Sequence, residues 1–310
     1  MNAQMFEVKV PGSTANLGPG FDSLGLALPL YLTIRLKPAA KTSIKIIGDH
    51  LSSLPRDRSN LIYQVMEHLF HLEEQKLPPI SLEVESEIPL SRGLGSSGSA
   101  IVGGLLAANE LLERKKSKEE LFQIASQLEG HSDNVGASLF GGFVATSFDG
   151  KRAMITHFPF AENLRLMLAI PTYTLSTESA RKEIPNHIPV KDAAYNIGQT
   201  ALLISFLMTG QIEKLATAMN DRIHQPYRQN VVKGLKRILE DMEQMGIYGA
   251  ALSGAGPTIL LFVNEQQIST MENYLKNVAM DEQIDFQIKT LSIEKEGAIV
   301  YHSTANRQII

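Results

Sequence analysis

The chain of 310 residues is 44% hydrophobic and 20% charged, carries a net charge of −4 and contains no cysteine. This length predicts two domains with ample material for a core, and the mildly acidic balance gives no sign of nucleic-acid binding. The lack of cysteine excludes disulfides, thiolate catalysis and cysteine-ligated metals. We expect a cytoplasmic protein with neither nucleic acid nor membrane as partner, because the sequence shows neither a signal-peptide pattern nor an apolar run long enough to span a bilayer.

Strands are predicted over most of residues 5–48, interrupted by the glycine-rich segment PGSTANLGPGFDSLG at residues 11–25, here called the first loop. An amphipathic helix is predicted at 59–74. Residues 80–88 then alternate between apolar and polar side chains, which is the pattern of a half-buried strand, and Pro89 ends it. This strand leads directly into a second glycine-rich segment.

The second loop, PLSRGLGSSGSA at residues 89–100, lies between that strand and a helix predicted to begin at Ser96 or Ser97. The free N–H groups of a helix start and the positive end of its dipole favour a bound phosphate. We expect a β-carbon at Gly95 to block the close approach of the phosphates. On glycine content alone, an ordinary connection with a serine N-cap fits equally well. The segment lacks the lysine of the common P-loop, and hydroxyl residues surround the glycines that match the dinucleotide fingerprint by letter.

A helix is predicted at residues 117–130, in the segment SKEELFQIASQLEG. It opens with a capping box formed by Ser117 and Glu120 and stops at Gly130. A strand is predicted at 140–148. These elements complete the first half of the chain.

The pattern of elements changes near residue 160. From there on the predicted order is strand, helices, two strands, helix and strand, which is the split β-α-β unit of ferredoxin-like domains. The helices of this half are predicted at about 192–208, 211–220, 230–245 and 265–278. We therefore predict an α+β chain with one domain at residues 1–160 and a second at residues 161–310.

Three glycine-rich segments recur along the chain: the first loop, the second loop and LSGAGPT at residues 252–258, here called the third loop. In this order and at these distances they resemble the GHMP family of small-molecule kinases, over essentially the whole chain. The segments EGHSDNV (129–135), STESAR (176–181) and DRIHQPYR (221–228) narrow the resemblance to members that act on an amino-acid alcohol. The resemblance implies a first domain of the ribosomal-protein-S5-like domain 2 type and a ferredoxin-like second domain.

Phosphoryl transfer from ATP, the reaction of this family, consists mostly of positioning and charge neutralisation. The resemblance implies that the phosphates are bound by Pro89, Leu90, Ser91, Arg92, Gly93, Leu94, Gly95, Ser96, Ser97, Gly98 and Ser99. It also implies a Mg²⁺ ion held by Ser97 and Glu129. The alternative for Glu129 is an exposed glutamate in the last turn of a helix. A carboxylate is unfavourable at that negative end of the helix dipole, so a nearby cation would explain it.

The substrate implied by the resemblance is a zwitterion, whose carboxylate and ammonium groups both need partners. Its pocket would be lined by Asn16, Asp22, His131, Asn134, Thr177, Arg181 and Arg228. The planar forks of Arg181 and Arg228 suit the carboxylate, and the oxygens of Asn16 and Asp22 suit the ammonium group. Taken alone, either arginine is more typical of a surface position, and Asp22 of an Asx turn.

The catalytic residues implied by the resemblance are Asn134, Glu129 and Thr177, and we expect Asn134 to orient the reacting hydroxyl. No catalytic base is assigned, because a loose, metaphosphate-like transition state requires little deprotonation before transfer. Asp133 lies between His131 and Asn134, and its side chain is only a cap if this segment opens a helix.

The third loop, with Gly254, Ala255 and Gly256, is expected to reach the first two loops and support the pocket. A plain hairpin connection is its alternative.

Two rival functions remain at this stage. One is a kinase of another alcohol such as mevalonate, for which ammonium acceptors would have no purpose. The other is a nucleotide-binding sensor without turnover, for which metal ligands would be superfluous. The sequence is compatible with a homodimer.

Overall fold

A computed structural model of the chain describes residues 5–160, 164–242, 244–302 and 307–308. Its strands are β1 (Phe6–Ala15), β2 (Leu24–Pro38), β3 (Ser43–Ile47), β4 (Ile80–Ser86), β5 (Phe143–Phe148), β6 (Ala153–Phe158), β7 (Arg165–Pro171), β8 (Gly249–Leu252), β9 (Ile259–Val263), β10 (Phe286–Leu291), β11 (Ile299–His302) and β12 (Arg307–Gln308). Its helices are α1 (Leu61–Leu72), α2 (Ser96–Leu111), α3 (Lys118–Glu129), α4 (Asp133–Phe140), α5 (Thr177–Lys182), α6 (Val190–Thr209), α7 (Leu215–Ala218), α8 (Gln225–Arg228), α9 (Leu235–Asp241) and α10 (Ile268–Asp281).

The first sheet has the strand order β12-β11-β1-β2-β4-β3. β5 pairs with the N-terminal end of β2, and β6 pairs with β5. β1 continues to Ala15, which pairs with Gly25 of β2. The segment Pro11–Ala15 is therefore extended chain, whereas the sequence predicted a loop there. The small residues Ser13 and Thr14 are fully buried there. The turn proper of the first loop is therefore confined to residues 16–23.

Helices α1 to α4 pack together on one face of the first sheet. The predicted capping box of α3 is confirmed, since the Ser117 side chain accepts from the Glu120 N–H and the Glu120 side chain accepts from the Ser117 N–H. Gly130 ends this helix in the left-handed conformation, with φ 83°. These local signals place Glu129 at the last position of α3, at the edge of the sheet where the loops gather.

The second sheet has the order β10-β7-β9-β8, with all neighbours antiparallel. This is the predicted ferredoxin-like arrangement. Along β7, Met167 and Ala169 face the core beneath α9 and α10, whereas Leu166 and Leu168 belong to the core of the first sheet. Because alternate residues of a strand point to opposite faces, β7 joins the two halves into one packed unit.

Two short helices, α5 and α8, were not predicted, although they carry three predicted site residues. The helix predicted at 211–220 is also interrupted, because only α7 is helical after a short turn at Ile212–Lys214. None of the helices in the described part of the chain is long and apolar enough to cross a membrane.

β11 pairs antiparallel with β1, with Phe6 opposite His302 and Lys9 opposite Ile299. The chain thus returns to the first sheet after completing the second, and β11 covers an edge of β1 that would otherwise expose unpaired backbone groups. The division at residue 160 stays a prediction. The strand Ile299–His302, which falls within the predicted second domain, belongs to the first sheet.

Candidate active site

The three glycine-rich loops meet where the two sheets adjoin. The Gly254 N–H donates to the Ala15 carbonyl at 3.1 Å, the Asn16 side chain donates to the Gly254 carbonyl at 2.9 Å, and the Ser253 hydroxyl donates to the Gly93 carbonyl at 2.6 Å. The third loop therefore contacts both others, as expected, and is more than a plain hairpin connection. Together the loops border a cavity of about 190 Å³.

Most of the predicted site residues line this cavity. They are Asn16, Asp22, Ser91, Gly93, Gly95, Ser96, Ser97, Glu129, His131, Asn134, Thr177, Arg181, Arg228, Gly254 and Ala255. The remaining predicted residues are Pro89, Leu90, Arg92, Leu94, Gly98, Ser99 and Gly256, and they lie outside its wall. Residues separated by more than two hundred positions thus form one enclosure.

Arg92, predicted as a phosphate ligand, binds the backbone at the end of β7 and also lines a second cavity beside the first. Its guanidinium donates to the carbonyls of Leu90 at 2.9 Å, Pro171 at 2.9 Å and Thr172 at 2.6 Å. Three of its five N–H groups are thereby used on backbone oxygens. Arg92 bridges the second loop to the second sheet, a contact that the sequence pattern alone did not reveal.

The start of α2 offers free donors to the cavity. Its N-cap is Gly95, with φ 71° and no side-chain cap, so the predicted serine N-cap alternative is wrong. The N–H groups of Ser96, Ser97 and Gly98 have no backbone acceptor among the described residues. Unsatisfied N–H groups at the positive end of a sixteen-residue helix form an anion site.

The structure gives a reason for glycine at positions 93 and 95 that is separate from the predicted approach of phosphate to Gly95. A β-carbon on Gly95 would lie 2.1 Å from the Ser13 hydroxyl oxygen, and one on Gly93 would lie 2.1 Å from the Ser253 carbonyl oxygen. Both residues also have positive φ, which disfavours other side chains. Contact with the first and third loops thus excludes a side chain at both positions, and the predicted approach of phosphate to Gly95 stays a prediction.

Glu129 is 12% exposed at its side chain and accepts a hydrogen bond from the Ser97 hydroxyl at 2.8 Å. The alternative of an exposed last-turn glutamate is therefore wrong. Burial raises the pKa of this carboxyl group, while His131 and the Ser97 hydrogen bond act in the opposite direction. The His131 Nε2 lies 4.0 Å from Glu129 Oε1, so this helix end has a positive group besides the predicted metal ion.

The pair of Ser97 and Glu129 fits a magnesium ion by the chemistry of its donors. A hydroxyl and a carboxylate supply hard oxygens, and the buried carboxylate lies beside the free N–H groups of α2. Within the described residues, no group of three or more His, Asp or Glu side chains is arranged to hold a metal ion. In proteins Mg²⁺ usually takes one or two protein ligands and completes its shell with waters and phosphate oxygens, so the hydroxyl of Ser97 and the carboxylate of Glu129 match the number it needs.

His131 is oriented by Asp133, whose carboxylate lies 2.7 Å from Nδ1 and also accepts from the Asn134 N–H at 2.8 Å. Burial alone would lower the pKa of His131, but the hydrogen bond to Asp133 and the charges of Asp133 and Glu129 raise it to about 9. Asp133 is 1% exposed. It is thus a buried partner of a charged imidazole as well as a residue that opens α4.

The raised pKa of His131 predicts a stability change with pH. Protonated His131 stabilises the fold fully below its ordinary pKa of 6.5, and this contribution is lost as the pH rises through about 9. The free energy of unfolding of the wild type should therefore fall relative to His131→Gln by roughly 1–3 kcal/mol between about pH 6 and about pH 9.5. Urea unfolding in metal-free buffer measures the difference, and a difference that is constant with pH would contradict it.

Arg228 is 1% exposed and is not the surface arginine of the alternative interpretation. Its Nε donates to the Ala180 carbonyl at 3.1 Å, and its Nη1 lies 3.2 Å from both the Gly254 carbonyl and His224 Nδ1. No carboxylate in the described part of the chain is ion-paired with it. Burial, and then the charge of Arg181, lower its pKa to about 10. Arg228 is therefore a buried cation that faces the cavity without an anionic partner.

Arg181 and Asp22, assigned to opposite ends of a zwitterion, are paired with each other. Arg181 Nη1 and Nη2 lie 3.0 and 2.9 Å from the two carboxylate oxygens of Asp22. The Asx-turn alternative for Asp22 is wrong, because its carboxylate is used on Arg181. The side chains of the pair are 45% and 35% exposed, so both remain open to the cavity.

The first loop holds its side chains in an unusual backbone conformation. Asn16, Leu17 and Asp22 have positive φ, as does Ser91 in the second loop. Such strain persists only where the surroundings fix it, and it clusters at functional sites. Asn16 is one such fixed point, since its side-chain oxygen accepts from the Asp22 N–H at 3.0 Å while its amide nitrogen donates to Gly254.

Asn134 and Thr177 complete the wall. The Asn134 amide nitrogen donates to the Ser13 hydroxyl at 3.0 Å, which leaves its oxygen without a donor among the described residues. Thr177 is the first residue of α5, and the Leu175 N–H ties this segment to Ser91 at 3.1 Å. Asn134 can therefore accept a hydrogen bond from a hydroxyl group in the cavity.

Phe21 was missed by sequence reasoning. Its ring lies 5.3 Å from the Arg181 guanidinium and 5.6 Å from that of Arg228, so it packs against both cations. The only signal was an aromatic residue inside a glycine-rich turn. Phe21 thus forms an apolar part of the cavity wall between the two arginines.

Comparisons with known proteins agree with this architecture. Sequence models of the GHMP kinase N-terminal domain and C-terminal domain match residues 60–142 and 203–279. A homoserine kinase of Deinococcus radiodurans is 38% identical over 97% of this chain and 98% of its own length. One from Desulfitobacterium hafniense is 39% identical over 96% of this chain and its entire length.

Solved structures show the same fold. The crystal structure of a homoserine kinase from Cytophaga hutchinsonii has a TM-score of 0.85 at 24% identity and covers 97% of this chain and 98% of its own. A mevalonate diphosphate decarboxylase from Enterococcus faecalis has a TM-score of 0.70 at 13% identity, covering 97% and 99%. Fold and cavity together define a kinase of small molecules that uses ATP. With relatives this similar over their full length, the chain belongs to the GHMP kinase family, in the group of the homoserine kinases.

Proposed function

We propose that the chain transfers the γ-phosphoryl group of ATP to the side-chain hydroxyl of L-homoserine, giving O-phospho-L-homoserine for threonine biosynthesis. The observation that carries this proposal is the position of Arg228, a buried cation without an ion-pair partner, in the same cavity as the uncapped start of α2. One end of the cavity thus suits a small carboxylate and the other a phosphate. A kinase of an amino-acid alcohol needs both.

The amino acid would lie across the ion pair of Asp22 and Arg181. Its carboxylate would bind the free donors of Arg228 and the exposed edge of Arg181, which satisfies a buried charge that otherwise lacks a partner. Its ammonium group would bind Asp22 and the side-chain oxygen of Asn16. A zwitterion placed beside an ion pair meets an opposite charge at each end, which an uncharged alcohol cannot do.

The nucleotide would occupy a second cavity of about 520 Å³ that shares Ser91, Ser96 and Ser97 with the first. Its other walls include the apolar side chains of Leu51 and Leu54, which suit a purine base. From there the phosphates would reach the free N–H groups of α2. Ser97 and Glu129 would hold Mg²⁺, which when bound neutralises charge on the triphosphate.

The reacting hydroxyl would donate its hydrogen bond to the free side-chain oxygen of Asn134, which directs an oxygen lone pair at the γ-phosphorus. The new bond joins the substrate oxygen to phosphorus as the bond to the β,γ-bridging oxygen breaks. The hydroxyl proton leaves late, to the transferred phosphoryl group or to water, so no strong base is needed. Oδ1 of Asp133 is already used on His131 and on the Asn134 N–H.

Release of ADP with a panel of alcohols tests the proposal. We expect kcat/KM for L-homoserine to exceed the values for L-threonine, L-serine and mevalonate by roughly 100-fold or more. Mevalonate has no ammonium group to pair with Asp22, and the hydroxyls of L-serine and L-threonine lie one carbon too close to the bound amino and carboxylate groups to reach the γ-phosphate. A preference for mevalonate would favour the rival kinase. Tight ATP binding without ADP release on any alcohol would favour the sensor.

A further inference from the structure

A fully buried histidine, His224, lies behind the cavity at the start of α8. Its Nε2 is 2.7 Å from the Gly18 carbonyl of the first loop, and its Nδ1 is 3.2 Å from Arg228 Nη1. A carbonyl oxygen only accepts hydrogen bonds and a guanidinium only donates them. The imidazole is therefore neutral, with its proton on Nε2 and a free lone pair on Nδ1.

The surroundings of His224 keep it in that form. Burial lowers its pKa, and the charge of Arg228 acts in the same direction, against the opposing charge of Asp221. Asp221 Oδ2 lies 3.6 Å from the ring Nε2 and is itself occupied, since it accepts from the backbone N–H groups of His224 and Gln225 at 2.9 and 2.6 Å. The Phe21 ring stacks on the imidazole, with centroids 5.2 Å apart and planes at 27°. His224 is thus fixed from several sides.

The contact with Nδ1 decides how Arg228 is turned. Ala180, Gly254 and His224 together use its Nε and both N–H groups of Nη1. Nη2 has no acceptor among the described residues, and Arg228 lines the cavity. If the acceptor at Nδ1 were removed, one buried N–H of Nη1 would lose its partner, and the guanidinium would gain by rotating away from its present orientation.

We infer that His224 is a positioning residue for the substrate carboxylate: its Nδ1 holds Arg228 so that Nη2 faces the cavity, while its Nε2–H attaches the first loop to α8. The inference rests on the proposed role of Arg228 in binding homoserine. The two hydrogen bonds of the His224 side chain thus have different roles, one with Arg228 and one with the first loop. Two substitutions that each remove one of these bonds distinguish the two roles.

His224→Asn keeps an oxygen acceptor at the place of Nδ1 and removes the donor to Gly18. His224→Gln reaches Gly18 with its amide N–H and leaves nothing at the place of Nδ1. We expect His224→Gln to raise KM for homoserine roughly tenfold or more, and His224→Asn to raise it less than about threefold. KM for ATP should change less than about twofold in both, because the nucleotide lies away from Arg228.

A merely structural role would give a different result. Each variant loses one buried hydrogen bond, so both should lose a similar amount of thermal stability, and equal KM values for homoserine in the two variants would overturn the inference. With 3-aminopropan-1-ol, which lacks a carboxylate, the additional penalty of His224→Gln should vanish. It should persist with 4-hydroxybutyrate, which keeps the carboxylate. The same penalty on both analogues would also overturn the inference.

Nitrogen NMR of the histidine-labelled wild-type protein provides a readout that does not depend on the folding of a variant. The His224 signals should show the Nε2–H tautomer near neutral pH, with and without homoserine. An imidazolium or an Nδ1–H tautomer would overturn the inference. If the wild type shows the expected tautomer but does not phosphorylate homoserine, the proposed function has failed, and the inferred role in substrate binding fails with it. If the wild type is an active kinase but the two variants have equal KM values for homoserine, only the inference is refuted.

Discussion

Glu129→Gln is expected to lower kcat by on the order of 100-fold or more while the protein remains folded. The amide is nearly isosteric with the carboxylate and can keep the hydrogen bond from the Ser97 hydroxyl, which measures 2.8 Å. It lacks the negative charge that a magnesium ion needs in this buried position. Steady-state ADP release at saturating homoserine measures the effect, and circular dichroism checks the fold.

Glu119→Gln is the matched control, because Glu119 is exposed at the other end of the same helix. It should retain wild-type kcat. Calorimetry adds a readout without turnover: Mg²⁺ should increase the affinity of the wild type for a non-hydrolysable ATP analogue more than that of Glu129→Gln. Near-normal turnover of Glu129→Gln at saturating Mg²⁺ would remove Glu129 from the metal site.

Arg228→Ala is expected to lower kcat/KM for homoserine by roughly 10²–10³-fold, within the cost of leaving a buried charge without its partner. Affinity for ATP should change little. Arg228→Lys should not restore efficiency, because the three N–H donors of an ammonium group cannot bind Ala180, Gly254 and His224 as the guanidinium does and still leave donors for the carboxylate. Arg181→Lys should cost less, since Arg181 is 45% exposed and already paired with Asp22. Arg237→Ala is the control, because this arginine forms a surface pair with Asp281.

The companion variant Asp22→Asn separates the two ends of the substrate. It should weaken homoserine, which carries an amine, and have much less effect on 4-hydroxybutyrate, which lacks one. Comparison of kcat/KM for the two alcohols in the wild type and each variant gives the answer. Equal penalties on both alcohols in Asp22→Asn, or wild-type efficiency in Arg228→Ala, would show that the cavity does not bind an amino-acid alcohol in this way.

The parts of the fold that sequence predicts well are those fixed by nearby residues. The capping box of Ser117 and Glu120 and the stop at Gly130 determine both ends of α3 within a few positions. The alternation over Ile80–Ser86 and the helix beginning at Ser96 follow in the same way from local periodicity. The order of strands and helices after residue 160 was sufficient for the ferredoxin-like topology.

Features that depend on distant contacts could not be predicted in this way. The helices α5 and α8, with six and four residues, are too short to show a period, so Arg181 and Arg228 had no element to place them. The turning of Arg92 onto the carbonyls of Pro171 and Thr172 depends on the second sheet. Gly95 is required by Ser13, a residue far away along the chain. Such contacts between residues far apart in the chain cannot be predicted from composition and local spacing.

The pairing of β11 with β1 has a consequence for synthesis on the ribosome. β1 is translated before the other described strands, yet the strand that completes its edge, Ile299–His302, is translated only after the whole second sheet. During that interval the nascent first sheet exposes unpaired backbone donors and acceptors, a surface that favours association with other chains. Closing so long a loop also slows the final step. The first sheet is therefore completed only after the second sheet has been translated, and the two halves do not fold one after the other.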